Sequence, residues 1–208
     1  MTSADHTTGG RAAQGDAPPA AASSETVSPQ AVHPRDVQAV ERQLGRAPRG
    51  LRAVAHRCPC GLPDVVRTAP RLEDGSPFPT LYYLTCPRAN SAIGSLEGGG
   101  AMRRMQERLG EEPELSEGYR AAHEAYIAAR DEQAAADGLE PLPRGMQSAG
   151  GMPDRVKCLH ALAAHELAEP GTNPIGREAL DALPDWWEKG PCVCTGPDSE
   201  DTSGGGRP

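Results

Sequence analysis

The chain has 208 residues, 37% hydrophobic but only 3% aromatic, and a formal net charge of −8. That balance argues against a nucleic-acid partner, which asks for a basic footprint. No run of about eighteen apolar residues offers a membrane span. The N-terminus shows no basic stretch followed by an apolar one, so no secretory signal is read there and a cytoplasmic location is expected. In that compartment the six cysteines (Cys58, Cys60, Cys86, Cys158, Cys192 and Cys194) read as thiols or metal ligands rather than disulfides.

Residues 1–34 are rich in Ala, Gly, Ser, Thr and Pro and hold no aromatic residue, Leu or Ile. Such a segment buries too little apolar surface to offset the entropy of ordering it. Residues 195–208 read the same way. One domain is therefore expected at 35–194, between disordered tails, with a thin and largely aliphatic core.

Taken in order, Asp36 opens a helix on Val37, Val40 and Leu44, and Gly45 ends it. Residues 51–58 alternate as a strand, with Val54, His56 and Cys58 on one side. Cys58-Pro59-Cys60-Gly61 must then turn, because proline interrupts ladder pairing and glycine permits positive φ. A second strand covers 64–68, Asp74-Gly75 turns, and a third covers 80–86. Together they predict a small, mostly antiparallel sheet. The rest reads as a packed helical half. Gly98-Gly99-Gly100 precedes a helix with Met102, Met105 and Leu109 on one face, and a longer helix over 115–135 turns Tyr119, Ala122, Tyr126 and Ile127 inward. After a loop over 138–151, Pro153 sits well at the first position of a third helix. Asn173-Pro174 starts another near 175–183, followed by Trp186-Trp187. Strands first and helices after predict an α+β fold.

Four stretches carry a resemblance. They are Cys58-Pro59-Cys60-Gly61, the run from Pro77 through Tyr82-Tyr83 to Cys86-Pro87, residues 150–165, and Asn173-Pro174-Ile175-Gly176. Together they resemble domain-of-unknown-function family 501 over about residues 36–190. The resemblance implies a family found largely in actinobacteria, with no established reaction. Its members are often encoded near a septum-formation initiator protein and an exopolyphosphatase. It therefore implies a link to cell division, the envelope or phosphate metabolism by association alone.

Three chemistries compete at the residues themselves. Thiolates of Cys58, Cys60, Cys86 and Cys158 can converge on a tetrahedral zinc ion, with His160 and His165 as weaker candidates. At about 100° per residue, a helix starting at Pro153 puts Cys158 and His165 on one side but about 10 Å apart, so it supplies one ligand, or two only if its first turn is distorted, and Cys158 is the first choice. Simple buried thiols are the competing reading, since free Cys packs as a small hydrophobe. Cys192 and Cys194 read as incidental, and His56 and His123 as structural. The second chemistry is an anion site at Gly150, Gly151, Arg155 and Lys157, where a glycine loop enters a helix N-terminus beside two cations. It lacks the Gly-Lys-Ser/Thr ending of a phosphate-binding loop. The third, nucleophilic Cys86 at a helix start, lacks the arginine a tyrosine-phosphatase-like loop needs, because that position is Ala92. Two functions stay open: a cysteine-rich, zinc-binding interaction module with a protein partner in cell division, or an enzyme acting on a phosphorylated or other anionic small substrate at the 150–157 loop. A concave pocket there favours the enzyme, and an apolar patch around Trp186 favours the module.

Overall fold

In the computed structural model, which describes residues 32–193 apart from 144 and 147, three strands form one antiparallel sheet in the order β1-β2-β3. They are β1 (Leu51–Arg57), β2 (Pro63–Thr68) and β3 (Tyr82–Leu84). Val54 pairs with Val66, and Val65 pairs with Leu84. The Cys58-Pro59-Cys60-Gly61 turn joins β1 to β2 as expected. Gly61, at φ 86°, donates its N–H to the Cys58 carbonyl at 2.8 Å. β3 is shorter than the run read from sequence, because Cys86 already serves as the N-cap of a helix.

Six helices are found among the described residues: α1 (Pro34–Leu44), α2 (Pro87–Gly98), α3 (Ala101–Glu111), α4 (Pro113–Ala136), α5 (Leu159–Ala168) and α6 (Pro174–Asp181). Two of their ends follow directly from local chemistry. Gly45 stops α1 in the left-handed region, and the Asn173 side chain caps α6 by accepting the Gly176 N–H at 2.8 Å. The α+β expectation holds, with α1 before the sheet and the other five described helices after it. The expected tails, 1–34 and 195–208, lie outside the described residues except for 32–34, of which Pro34 begins α1. Among the described residues no helix is long and apolar enough to cross a membrane.

α5 occupies the centre. Its sequence is apolar nearly all round, which is the signature of a helix surrounded by other elements. Leu159, Leu162, Ala163 and Ala164 are buried, and so are the polar His165 and Glu166. α6 packs so close to α5 that a Cβ on Gly176 would lie 2.2 Å from the Leu162 carbonyl oxygen. Glu166 ties the connection between these helices. Its carboxylate accepts the Gly171 and Asn173 N–H groups at 2.7 Å each and meets the Arg177 guanidinium at 2.6 Å.

The helix expected to start at Pro153 starts six residues later, at Leu159. Side chains from two other helices hold residues 154–156 in an irregular path. Gln106 of α3 donates to the Asp154 carbonyl and accepts the Val156 N–H at 2.8 Å, while the Tyr119 hydroxyl of α4 donates to the Arg155 carbonyl at 3.0 Å. Backbone groups that a helix would have paired internally are satisfied by tertiary partners instead. Met152-Pro153 is a cis peptide, and Pro153 lies in the turn before α5 rather than at its first position.

Candidate metal centre

The late start of α5 decides the geometry of the site. In a regular helix Cys158 and His160 would point about 200° apart. Cys158 instead is the N-cap of α5, with extended φ and ψ of −154° and 105°. His160 sits in the first turn, and the Cys158 Sγ lies 4.0 Å from its Nδ1. α2 brings the third group. Glu97, one residue before the end of that helix, places Oε1 3.3 Å from the same His160 Nδ1. The ligand atoms of Glu97, Cys158 and His160 all lie within 4.8 Å of one another. No other group of three or more Cys, His, Asp or Glu residues does so among the described residues.

Hydrogen bonding fixes the chemistry of the ring. His160 Nε2 lies 3.1 Å from the Asn90 carbonyl oxygen, which can only accept, so Nε2 carries a proton. A neutral imidazole then presents an unprotonated Nδ1 to the Glu97 carboxylate and the Cys158 sulfur. Lone pairs facing a carboxylate at 3.3 Å repel, so a shared proton or a bound cation must lie between the two groups. One nitrogen, one carboxylate oxygen and one sulfur make a donor set suited to zinc-class ions. Asn90 plays the supporting part, orienting the ring from its far side. Glu97 also accepts the Leu159 N–H at 2.7 Å, which fixes its carboxylate on the helix start. The side chains of His160 and Glu97 are 29% and 21% exposed, so the centre is reachable from solvent.

The four-cysteine centre expected from sequence does not assemble as one group. Cys58 and Cys60 contact each other across their turn, and burial pushes the Cys58 thiol up to about 12. Cys86 is fully buried and pairs with Cys192, while Cys158 joins Glu97 and His160. Cys194 lies outside the described residues. His165 is fully buried away from this cluster. Its ring stacks on Tyr82, meets the edge of Tyr126, and receives the Asn173 amide on Nδ1 at 3.3 Å.

The anion loop also differs from its expectation. Gly150 and Gly151 do adopt positive φ, but the loop turns its N–H groups onto its own carbonyls. Arg155 N–H donates to Gly151, and Lys157 and Cys158 N–H both donate to Gly150. No helix N-terminus stands behind Gly151. Arg155 and Lys157 are exposed, and Arg155 borders a cleft of about 650 Å³ that His123, Arg130, Asp131 and Gly151 also line. Trp186 and Trp187 pack edge to face at 4.6 Å and are half-buried, with Trp186 against the core rather than displayed as a docking patch.

Sequence reasoning missed Glu97 and Asn90. No spacing rule connects them to Cys158. A hint lay in the run itself, where a helix ends on an acid just before Gly98-Gly99-Gly100 with no basic residue in its last turn.

A protein-family model described as "Protein of unknown function (DUF501)" matches residues 54–181, more than half of the chain and a span containing the whole centre. Neither the curated proteins nor the solved structures give a significant match.

Proposed function

The chain belongs to the DUF501 family, and from its own side chains we propose that it is a metal-binding protein, holding one zinc-class divalent ion on Glu97 Oε1, Cys158 Sγ and His160 Nδ1. The observation that carries this reading is the ring orientation. The Asn90 carbonyl accepts the Nε2–H, and the opposite nitrogen meets a carboxylate and a thiol together. Three protein ligands leave a fourth position for water or for an oxygen or sulfur of a bound group. That is the layout of centres that work on a ligand rather than only hold a fold. Both functions read from sequence fit such a centre: a metal-dependent enzyme, or a module whose partner donates the fourth ligand. The link to cell division or the envelope is carried by the family resemblance alone.

The test is metal content per chain on untagged protein, followed by competition titration with a zinc chelator. About one zinc-class ion per chain, lost in Cys158→Ser and in His160→Ala while both stay folded by circular dichroism, supports the centre. A metal-free protein that takes up no zinc, with His160 doubly protonated at neutral pH by nitrogen NMR, means that a proton holds the cluster and the reading fails.

A second reading has one specific support. The cleft beside Arg155 is concave and lined by His123, Arg130 and Arg155 together with Glu124, Asp131 and Asp154, a mixed-charge lining that suits a small polar ligand carrying an anionic group. Protection of Arg155 from phenylglyoxal by inorganic phosphate or a nucleotide would favour it, and unchanged labelling would remove it.

A further inference from the structure

Two cysteines outside the metal cluster form a second chemical unit. Cys86, the N-cap of α2, is fully buried at the end of β3. Its thiol is hydrogen-bonded to Cys192, which lies in the segment after α6 and is half-exposed. Gln43 of α1 donates its Nε2–H to Cys192 Sγ at 3.2 Å and to the Pro63 carbonyl at 2.6 Å. Arg88 of α2 donates to the Gly190 carbonyl at 2.5 Å, which ties the Cys192 segment against the start of α2. Three elements thus converge on one sulfur: an amide donor, a thiol donor and a nearby guanidinium.

We propose that Cys192 and Cys86 are a peroxide-reactive thiol pair, with Cys192 the attacking sulfur and Cys86 the resolving one. The unequal surroundings assign these roles. Donation to Cys192 and then burial hold the Cys86 proton in place. The donors around Cys192, Cys86 first and then the Gln43 amide, lower that thiol and favour its thiolate, and its half-exposure lets a peroxide reach it. The Cys192 thiolate attacks one oxygen of a hydroperoxide, forming an S–O bond as the O–O bond breaks. The leaving oxygen takes a proton from water and departs as an alcohol or water. The Cys86 sulfur then attacks the Cys192 sulfenic sulfur, the S–O bond breaks, and the Cys86 proton leaves with the hydroxyl as water. Two electrons pass from the two sulfurs to the peroxide, and the product is a Cys86–Cys192 disulfide. That bond fastens the C-terminal segment to the N-terminus of α2 covalently.

The test uses the full reduced chain with one equivalent of hydrogen peroxide, followed by alkylation of remaining thiols and peptide mass mapping. The expected product is a Cys86–Cys192 crosslink, with Cys58, Cys60 and Cys158 alkylated. Cys86→Ser should leave a Cys192 sulfenic acid that dimedone traps, and Cys194→Ser should leave the crosslink intact. Alkylation of Cys192 by iodoacetamide should show a midpoint below the value of about 8.5 for an ordinary thiol. A Cys192–Cys194 crosslink, or a Cys192 midpoint near the ordinary value, overturns the proposal. So does oxidation that falls first on Cys58, Cys60 or Cys158.

Discussion

Glu97 Oε1 accepts the Leu159 N–H at 2.7 Å, so the last turn of α2 caps the first turn of α5 from outside. The same oxygen faces His160, which gives one carboxylate two separable duties. Glu97→Gln keeps an acceptor for the helix start but removes the charge. It should unfold within a few tenths of a kcal/mol of the parent in urea, while Glu97→Ala should lose about 1 kcal/mol. Both variants should bind zinc roughly tenfold or more weakly in the chelator titration, on the scale of lost metal-site partners. Equal zinc affinity in Glu97→Gln and the parent would leave the carboxylate a cap and nothing more.

Glu166 should be the costliest single carboxylate to remove. It is fully buried and accepts two backbone N–H groups as well as the Arg177 guanidinium. Glu166→Ala strands those donors and should cost about 3 kcal/mol or more in urea unfolding. Arg177→Ala should cost less, about 1 kcal/mol, because the arginine side chain is 51% exposed and the backbone donors still hold the carboxylate. A reversed order would mean that the ion pair, not the backbone cradle, holds the α5–α6 connection.

These two sites show which parts of the chain were legible from sequence. The strands around Val54, Val66 and Leu84, the Gly45 stop and the Asn173 cap follow from local rules, and each appears where those rules put it. The start of α5 does not follow, because Gln106 and Tyr119 reach in from other helices to bind the backbone of residues 154–156. A local reading has no access to such partners. That one misplaced boundary changes the site: with the helix begun at Pro153, Cys158 and His160 diverge, and with it begun at Leu159 they meet. The sequence marks Cys158 as a ligand and His160 as a weaker one, and carries no spacing that points to Glu97 or Asn90. Cys192 was passed over as incidental because its partners, Gln43 and Cys86, are distant in the chain.

Two glycines within helices should respond to alanine with opposite signs. Gly176 has no room, since its Cβ would lie 2.2 Å from the Leu162 oxygen and 2.9 Å from the Glu166 Cβ. Gly176→Ala must push α6 off α5 and should lose about 1–3 kcal/mol. Gly94, in α2, has nothing within 4 Å of that position. Gly94→Ala should gain about 0.5–1 kcal/mol by restricting the unfolded chain and restoring helix propensity. Thermal melts of the two variants beside the parent check both signs at once.

Stability should fall in acid partly through Glu169. The neighbouring His165 ring, 3.7 Å away, and the donating Tyr82 hydroxyl hold this carboxyl below its ordinary 4.5. A group whose folded value is depressed contributes stability that is fully present above its unfolded value and is lost as pH falls through the folded one. The contribution of Glu169 should therefore be constant above about pH 5 and decline below about 4.5. Asp36, lowered first by its hydrogen bond with Arg57, declines over a similar range from its ordinary 3.8 and forms the background slope. Glu169→Gln should flatten the acid limb of a plot of melting temperature against pH and leave the Asp36 part. Tyr82→Phe removes one of the two groups that lower Glu169, so its slope should lie between those of the parent and Glu169→Gln. An acid limb unchanged in Glu169→Gln would mean that His165 and Tyr82 stabilise the carboxylate no better than water does.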